Sequence, residues 1–160
     1  MKFRLPGDLH EIHATLAAAG FGCWLVGGAV RSLVLRVPPK DWDLATDAEP
    51  GDVIRLFRRV VPTGIRHGTV TILTRGSSYE ITTFRVEGRY SDGRRPDRVS
   101  YTPSLPEDLK RRDFTINAMA IDIGTGALVD PHGGREDCAG KTIRAIGDPE
   151  ERFREDGLRL

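Results

Sequence analysis

The sequence predicts an α+β, mixed α/β domain and not a regular parallel sheet. Three observations carry that expectation. Short apolar runs such as "CWLV" and "DWDLAT" alternate with stretches of helical periodicity. "GTVTILT" and "YEITTFR", rich in Thr, Val, Ile, Tyr and Phe, flank the turn-like "RGSS" and read as a hairpin. Residues 87–103 are polar and broken by Gly88, Gly93, Pro96 and Pro103, as in a long loop, which in compact domains is usually functional or disordered.

In order along the chain, "GDLHEIHATLAAAG" predicts a helix. Leu9, Ile12 and Leu16 recur at helical spacing, Asp8 and Glu11 have capping-box spacing, and Gly20 stops it. "CWLV" is a buried strand closed by Gly27 and Gly28, and "AVRSLVL" is a helix opening at those glycines. "DWDLAT" is a second strand. Pro50 opens the helix "GDVIRLFRRV", at a position where its missing N–H costs little. After the hairpin and the long loop, "SLPEDLKRRDFTINAMAI" begins with Ser104 and Glu107 at capping-box spacing. Weak strands are expected around "ALVD" and "TIRAI", and Asp148, Pro149 and Glu151 announce a last helix, "PEERFREDGLRL".

Composition narrows the function classes. Of 160 residues, 39% are hydrophobic and 29% charged, which fits a soluble globular chain. No run approaches the roughly 20 apolar residues of a membrane span, and "MKFRLPGDLHEIH" lacks a signal-peptide core. Cys23 and Cys138, far apart in sequence, are expected as free thiols in a reducing cytoplasm. The net charge of +1 argues against a chain that grips a long polyanion over its whole surface. Positive charge gathers locally. Arg85, Arg89, Arg94, Arg95, Arg98, Lys110, Arg111 and Arg112 (eight) stand against Glu87, Asp92, Asp97, Glu107 and Asp108 (five), a net +3.

Chemistry centres on "DWD". On a strand, Asp41 and Asp43 share one face and Trp42 takes the other, into the core. Two adjacent carboxylates repel unless a cation intervenes, and Mg²⁺ accepts such oxygen ligands. A charged strand edge reads the same pattern equally well. "VGGAVR" ends a strand and opens a helix, where glycines let a phosphate approach the backbone and Arg31 adds a charged donor. By itself it reads more readily as a tight turn. A phosphate cradle before paired acids sets a triphosphate beside its metals. Two carboxylate-held metals activate an attacking hydroxyl and stabilise the leaving oxygens. Glu80, in "YEITTFR", is either a third carboxylate or an ordinary exposed strand glutamate.

"LVGGAVR", "DWDLAT", "GIRHGTVTI", "YEITTFR", "GRYSDGRRPDRVSY", "EDLKRRDFTINAMA" and "EDGLR" occur in this order. From about Gly20 to Leu160 the chain resembles the catalytic end of class II tRNA nucleotidyltransferases, the CCA-adding enzymes, which bacterial poly(A) polymerases closely resemble. The resemblance implies a polymerase-β-type head, a short mixed sheet flanked by helices, over residues 1–147, and the truncated start of a helical neck over 148–160. It implies a cytoplasmic, template-independent transfer of C and/or A from CTP or ATP to the tRNA 3′ end, with Mg²⁺ at a two-metal site. A poly(A) polymerase and an inactive nucleotide- or RNA-binding fragment are the alternatives.

The same resemblance assigns residues. Asp41 and Asp43 match the metal-binding pair, with Glu80 assisting. Gly27, Gly28 and Arg31 match the nucleotide-phosphate contacts. Arg112 beside Asp113, with Arg111 and Asn117 of the same motif, matches the segment that binds the nucleotide and senses its ribose. Asp156 and Arg159 match the pair that reads the base. Three residues apart on a helix they share a face; an Asp accepts from an exocyclic amino group while an Arg donates to an adjacent acceptor. Cytosine and adenine offer that order, uracil and guanine do not. By themselves the two read rather as an i,i+3 helical ion pair, and only the upstream motifs favour base reading.

Two departures stand out. Ser32 replaces the acid that usually follows the motif arginine, which weakens the expectation for catalysis. The helical body and tail that hold tRNA in the family have no counterpart here, so full RNA binding is expected to need them. Residues 87–103, with Arg94, Arg95 and Asp97, keep the loop that CC-adding members lack and favour addition of the terminal A.

Overall fold

Residues 3–87 and 99–155 are described by a computed structural model. Helix α1 (Gly7–Ala18) buries Leu9, Ile12 and Leu16, one stripe at helical spacing. The expected Asp8–Glu11 box does not form, because Pro6 occupies the cap. Asp8 instead accepts hydroxyls of Thr74 (2.7 Å) and Tyr79 (3.4 Å), so a side chain suited to capping ties α1 to the hairpin.

Strand β1 (Trp24–Val26), helix α2 (Gly28–Val34) and strand β2 (Leu44–Thr46) follow. Regular pairing of β2 starts at Leu44, later than the sequence suggests, although the Asp43 carbonyl still accepts the Val26 N–H at 3.0 Å. The two acids thus sit at the mouth of the strand. Helix α3 (Pro50–Leu56) is shorter than "GDVIRLFRRV" implies. Phe57 turns extended and β3 (Val60–Gly64) begins where a helix was expected. Val60 and Val61 are β-branched, and as strand residues they pair with Ile72 and Thr71. The hairpin is β4 (Thr69–Leu73) and β5 (Ser78–Thr83), as expected.

A two-stranded ribbon, β6 (Arg85–Glu87) with β7 (Val99–Tyr101), narrows the expected loop; Arg94, Arg95 and Asp97 lie outside the described residues. Helix α4 (Leu105–Lys110) is only the first part of the run that looked helical. Ser104 accepts the Glu107 N–H at 3.4 Å, but Glu107 turns to the Thr102 hydroxyl at 2.6 Å. "RRDF" then leaves the helix, a 3-10 turn covers Thr115–Asn117, and β8 (Ala120–Asp122) and β9 (Leu128–Val129) follow. Helix α5 (Gly134–Gly140) was not expected from a glycine-flanked stretch. Its first N–H groups at Gly134 and Arg135 are accepted by Asp130 at 2.8 and 2.9 Å. "TIRAI" forms only an isolated bridge between Ala145 and Phe114. Helix α6 (Pro149–Glu155) starts at the expected place, with Asp148 accepting the Glu150 N–H at 2.8 Å.

The main sheet has the order β3-β4-β5-β2-β1-β8-β9, and only β2–β5 is parallel. Alternation divides its side chains. Leu25, Leu44, Ile81 and Ile121 join the larger core with Leu9, Val30 and Val53 of α1, α2 and α3. Val26, Ala45 and Ala120 join a smaller one with Phe84 and with Leu105 and Leu109 of α4. Among the described residues no helix is long and apolar enough to cross a membrane. Cys23 and Cys138 are buried free thiols, and burial, helped by Asp122, pushes Cys23 up to about 12.

Candidate active site

The acids fall on the α4 side of the sheet. Asp43 and Glu80 have the parity of Ala45 and Phe84, and Asp41 lies two residues before Asp43. Trp42 has the opposite parity and packs half-buried against the larger core. Asp41, Asp43 and Glu80 line one cleft of about 730 Å³ with Lys40, Ser78 and Tyr79. The parallel pairing of Leu44 with Ile81 is what brings Glu80 alongside. Burial raises the Asp43 carboxyl above its usual range, Glu80 and Asp41 add to the shift, and Arg112 opposes it.

That is a site short of positive charge. Its donors are carboxylate oxygens, the set a hard divalent cation takes. Among the described residues no group of three or more His, Cys, Asp or Glu closes into a metal cage. The paired carboxylates present fit Mg²⁺, which is commonly held by one or two carboxylates and completed by substrate phosphates and water.

Gly27 bends the chain with φ +67°, a left-handed conformation that favours glycine. A Cβ there would lie 3.4 Å from Arg112 Nη1 and 3.9 Å from Asp43 Oδ2, so the bend sits beside both a guanidinium and the catalytic candidate. Beside it, Arg31 Nη2 lies 3.6 Å from where a Gly28 Cβ would stand. Each arginine is held from behind. Arg31 Nη1 donates to Asn117 Oδ1, and Asn117 Nδ2 donates to Asp113 Oδ1 at 3.1 Å. Asp113 Oδ1 also accepts the Phe114 N–H at 2.7 Å. Arg112 Nη2 donates to Asp108 Oδ2 at 3.3 Å, and Arg111 Nε to Asp108 Oδ1 at 2.9 Å. Burial lowers Arg112 from the ordinary arginine value and Asp108 counters the shift; the group stays cationic.

Helix α5 supports this segment. Gly134 packs so close to the 3-10 turn that a Cβ would meet the Thr115 carbonyl oxygen at 2.2 Å. Thr115 Oγ1 donates to Asp137 Oδ2 at 2.6 Å, and Arg144 donates to both Asp137 oxygens at 3.1 Å. The Arg144 and Thr115 bonds hold the Asp137 carboxyl below its usual range.

The fold therefore gathers Asp41, Asp43 and Glu80 in one cleft, and brings Arg112, Asp113 and Asn117 of the segment after α4 against Gly27, Gly28 and Arg31 through direct and linked side-chain contacts. Arg111 joins through Asp108. Asp156 and Arg159 lie outside the described residues. Asp108 was missed as a supporting group, yet its spacing to Arg111 and Arg112 in "EDLKRR" (i+3 and i+4) signals it. Nothing in the structure explains Ser32 at the position where the resemblance leads one to expect an acid.

Residues 23–144 match the family described as "Poly A polymerase head domain". The chain is 56% identical over 146 residues to the CCA-adding enzyme of Lactobacillus helveticus, covering 91% of this chain and 36% of the relative. It is 52% identical over 159 residues to that of Enterococcus faecalis, covering 98% and 39%. The crystal structure of the Bacillus stearothermophilus CCA-adding enzyme in complex with CTP is 42% identical and superposes with a TM-score of 0.86, over 97% of this chain and 38% of that one. The chain thus spans less than two-fifths of the length of these relatives.

Proposed function

Since the chain belongs to the poly A polymerase head-domain family, we propose that it is the catalytic head of a tRNA nucleotidyltransferase. It adds C and/or A from CTP or ATP to the tRNA 3′ end. One observation carries the reading: the Gly27 bend lies beside both Arg112 and Asp43, which supports reading it as a phosphate-binding turn next to the carboxylate cleft.

Asp41 and Asp43 would hold Mg²⁺, with Glu80 beside them. When bound, the metal supplies Lewis-acid charge for attack of the 3′-hydroxyl on the α-phosphate and departure of pyrophosphate. This chain's own residues do the positioning. Gly27 and Gly28 let the triphosphate reach the backbone. Arg112 and Arg31 neutralise phosphate charge, and Asp113 and Asn117 orient Arg31 and face the ribose. Preorganised charge of this kind is most of what phosphoryl-type transfer asks of a protein. The head covers 1–147, and from 148 the chain enters a base-reading neck in which Asp156 and Arg159 select C and A. Tight tRNA binding needs many phosphate contacts, and the net charge of +1 leaves most of them to other domains.

Incorporation of labelled CTP and ATP tests the reading, with tRNA ending before CCA, before the final A, and complete. Addition that stops at CCA, or at A, is the expected result. A long A ladder on many RNAs would favour a poly(A) polymerase, and incorporation no higher than that of Asp41→Ala would refute catalysis by this chain. The names of the aligned relatives favour the first outcome.

A further inference from the structure

Arg112 serves the glycine turn best when its guanidinium is held, since a free arginine side chain samples many rotamers. The hold comes from one buried carboxylate. Asp108 is 1% exposed and collects three donors: the Arg85 backbone N–H (3.2 Å) and Arg111 Nε (2.9 Å) on Oδ1, and Arg112 Nη2 (3.3 Å) on Oδ2. Helix α4 stops at Lys110, so Arg112 leaves the helix just past the carboxylate it bonds, with Nη1 directed to the Gly27 bend. Arg112 Nε is buried with no acceptor, so Asp108 bonds one N–H and leaves others uncommitted.

We infer that Asp108 is a positioning residue for nucleotide binding: its carboxylate aims Arg112 at the triphosphate and anchors Arg111 beside it. Replacing a whole buried ion pair by apolar residues is often neutral for stability; what this pair adds is a fixed direction. The backbone bond to Arg85 also joins the carboxylate to the base of the β6–β7 ribbon. The inference rests on the nucleotide-binding reading above.

The test uses the 160-residue chain, calorimetric titration with Mg²⁺–CTP, and the arginine Nε–Hε signals in NMR. Asp108→Asn is expected to weaken CTP binding by about tenfold, the scale of one charge-assisted bond. It should have no further effect in an Arg112→Gln background. Wild-type affinity in Asp108→Asn, or an equal loss in both backgrounds, overturns the inference. Should Asp108→Asn not fold, Asp108→Glu, which keeps the charge but displaces the guanidinium, is expected to lose affinity likewise; unchanged binding overturns the inference. Wild-type protein that binds no CTP would refute the nucleotide reading instead. The NMR arm then decides: the Arg112 Nε–H should exchange slowly in wild type and fast in either variant, and identical exchange counts against positioning.

Discussion

Asp43 shows what one side chain costs the fold. Its carboxyl is raised above the unfolded value of about 3.9 by burial, Glu80 and Asp41. The folded state therefore binds more protons than the unfolded one as pH rises from that value to the folded one, and stability falls across that window and stays lower above it. Asp43→Asn should raise the melting temperature of metal-free protein at neutral pH while nucleotide incorporation drops to background; an unchanged or lower melting temperature would contradict the charge argument. Asp137 works in the opposite sense. Its carboxyl is held down by Arg144 and Thr115, so the stability it adds is present above about 3.9 and is lost as pH falls through the lower folded value. Asp137→Asn should flatten the acid limb of a urea-midpoint profile against pH.

Among the elements, α5 acts as the brace of the site. Its Gly134 leaves no room for a Cβ against the Thr115 carbonyl. Gly134→Ala should destabilise by about 2 kcal/mol, within the range for overpacked positions, and should weaken nucleotide binding by shifting Asp113 and Asn117; chemical denaturation and CTP titration measure the two effects. Phe84 plays the matching part on the other face. It is 1% exposed and stacks tilted on Trp24 at 5.2 Å between centroids. Phe84→Ala should cost about 3–5 kcal/mol, read as a lower urea midpoint. Helix α6 docks through the Phe114–Phe153 ring pair at 6.4 Å and through Arg152, which donates to the carbonyls of Ile146 (2.8 Å) and Lys110 (3.2 Å).

For the molecule as a whole, ligand linkage offers a test without tRNA. If Mg²⁺–CTP binds only the folded chain, at a hundred times its dissociation constant it should stabilise by about 2.7 kcal/mol, and Arg112→Ala should remove most of that shift in a thermal melt. Local signals made much of the architecture legible in the sequence. The hairpin, the strand–glycine–helix unit and the capped α6 each rest on residues close together in the chain, whose alternation, turn chemistry and caps act locally. The paired acids, the glycine turn and the arginine motif were readable as residue types for the same reason. Tertiary structure alone decided the edge strand β3, the helix α5 and the short reach of α4, because each depends on partners far along the chain: Val60 on Ile72, Gly134 on Thr115, Arg112 on the Gly27 bend. It also decided how the site is held. The i+3 and i+4 spacing of Asp108 to Arg111 and Arg112 hints at an ion pair in the sequence, but only packing that shuts out water makes that carboxylate the anchor of two arginines.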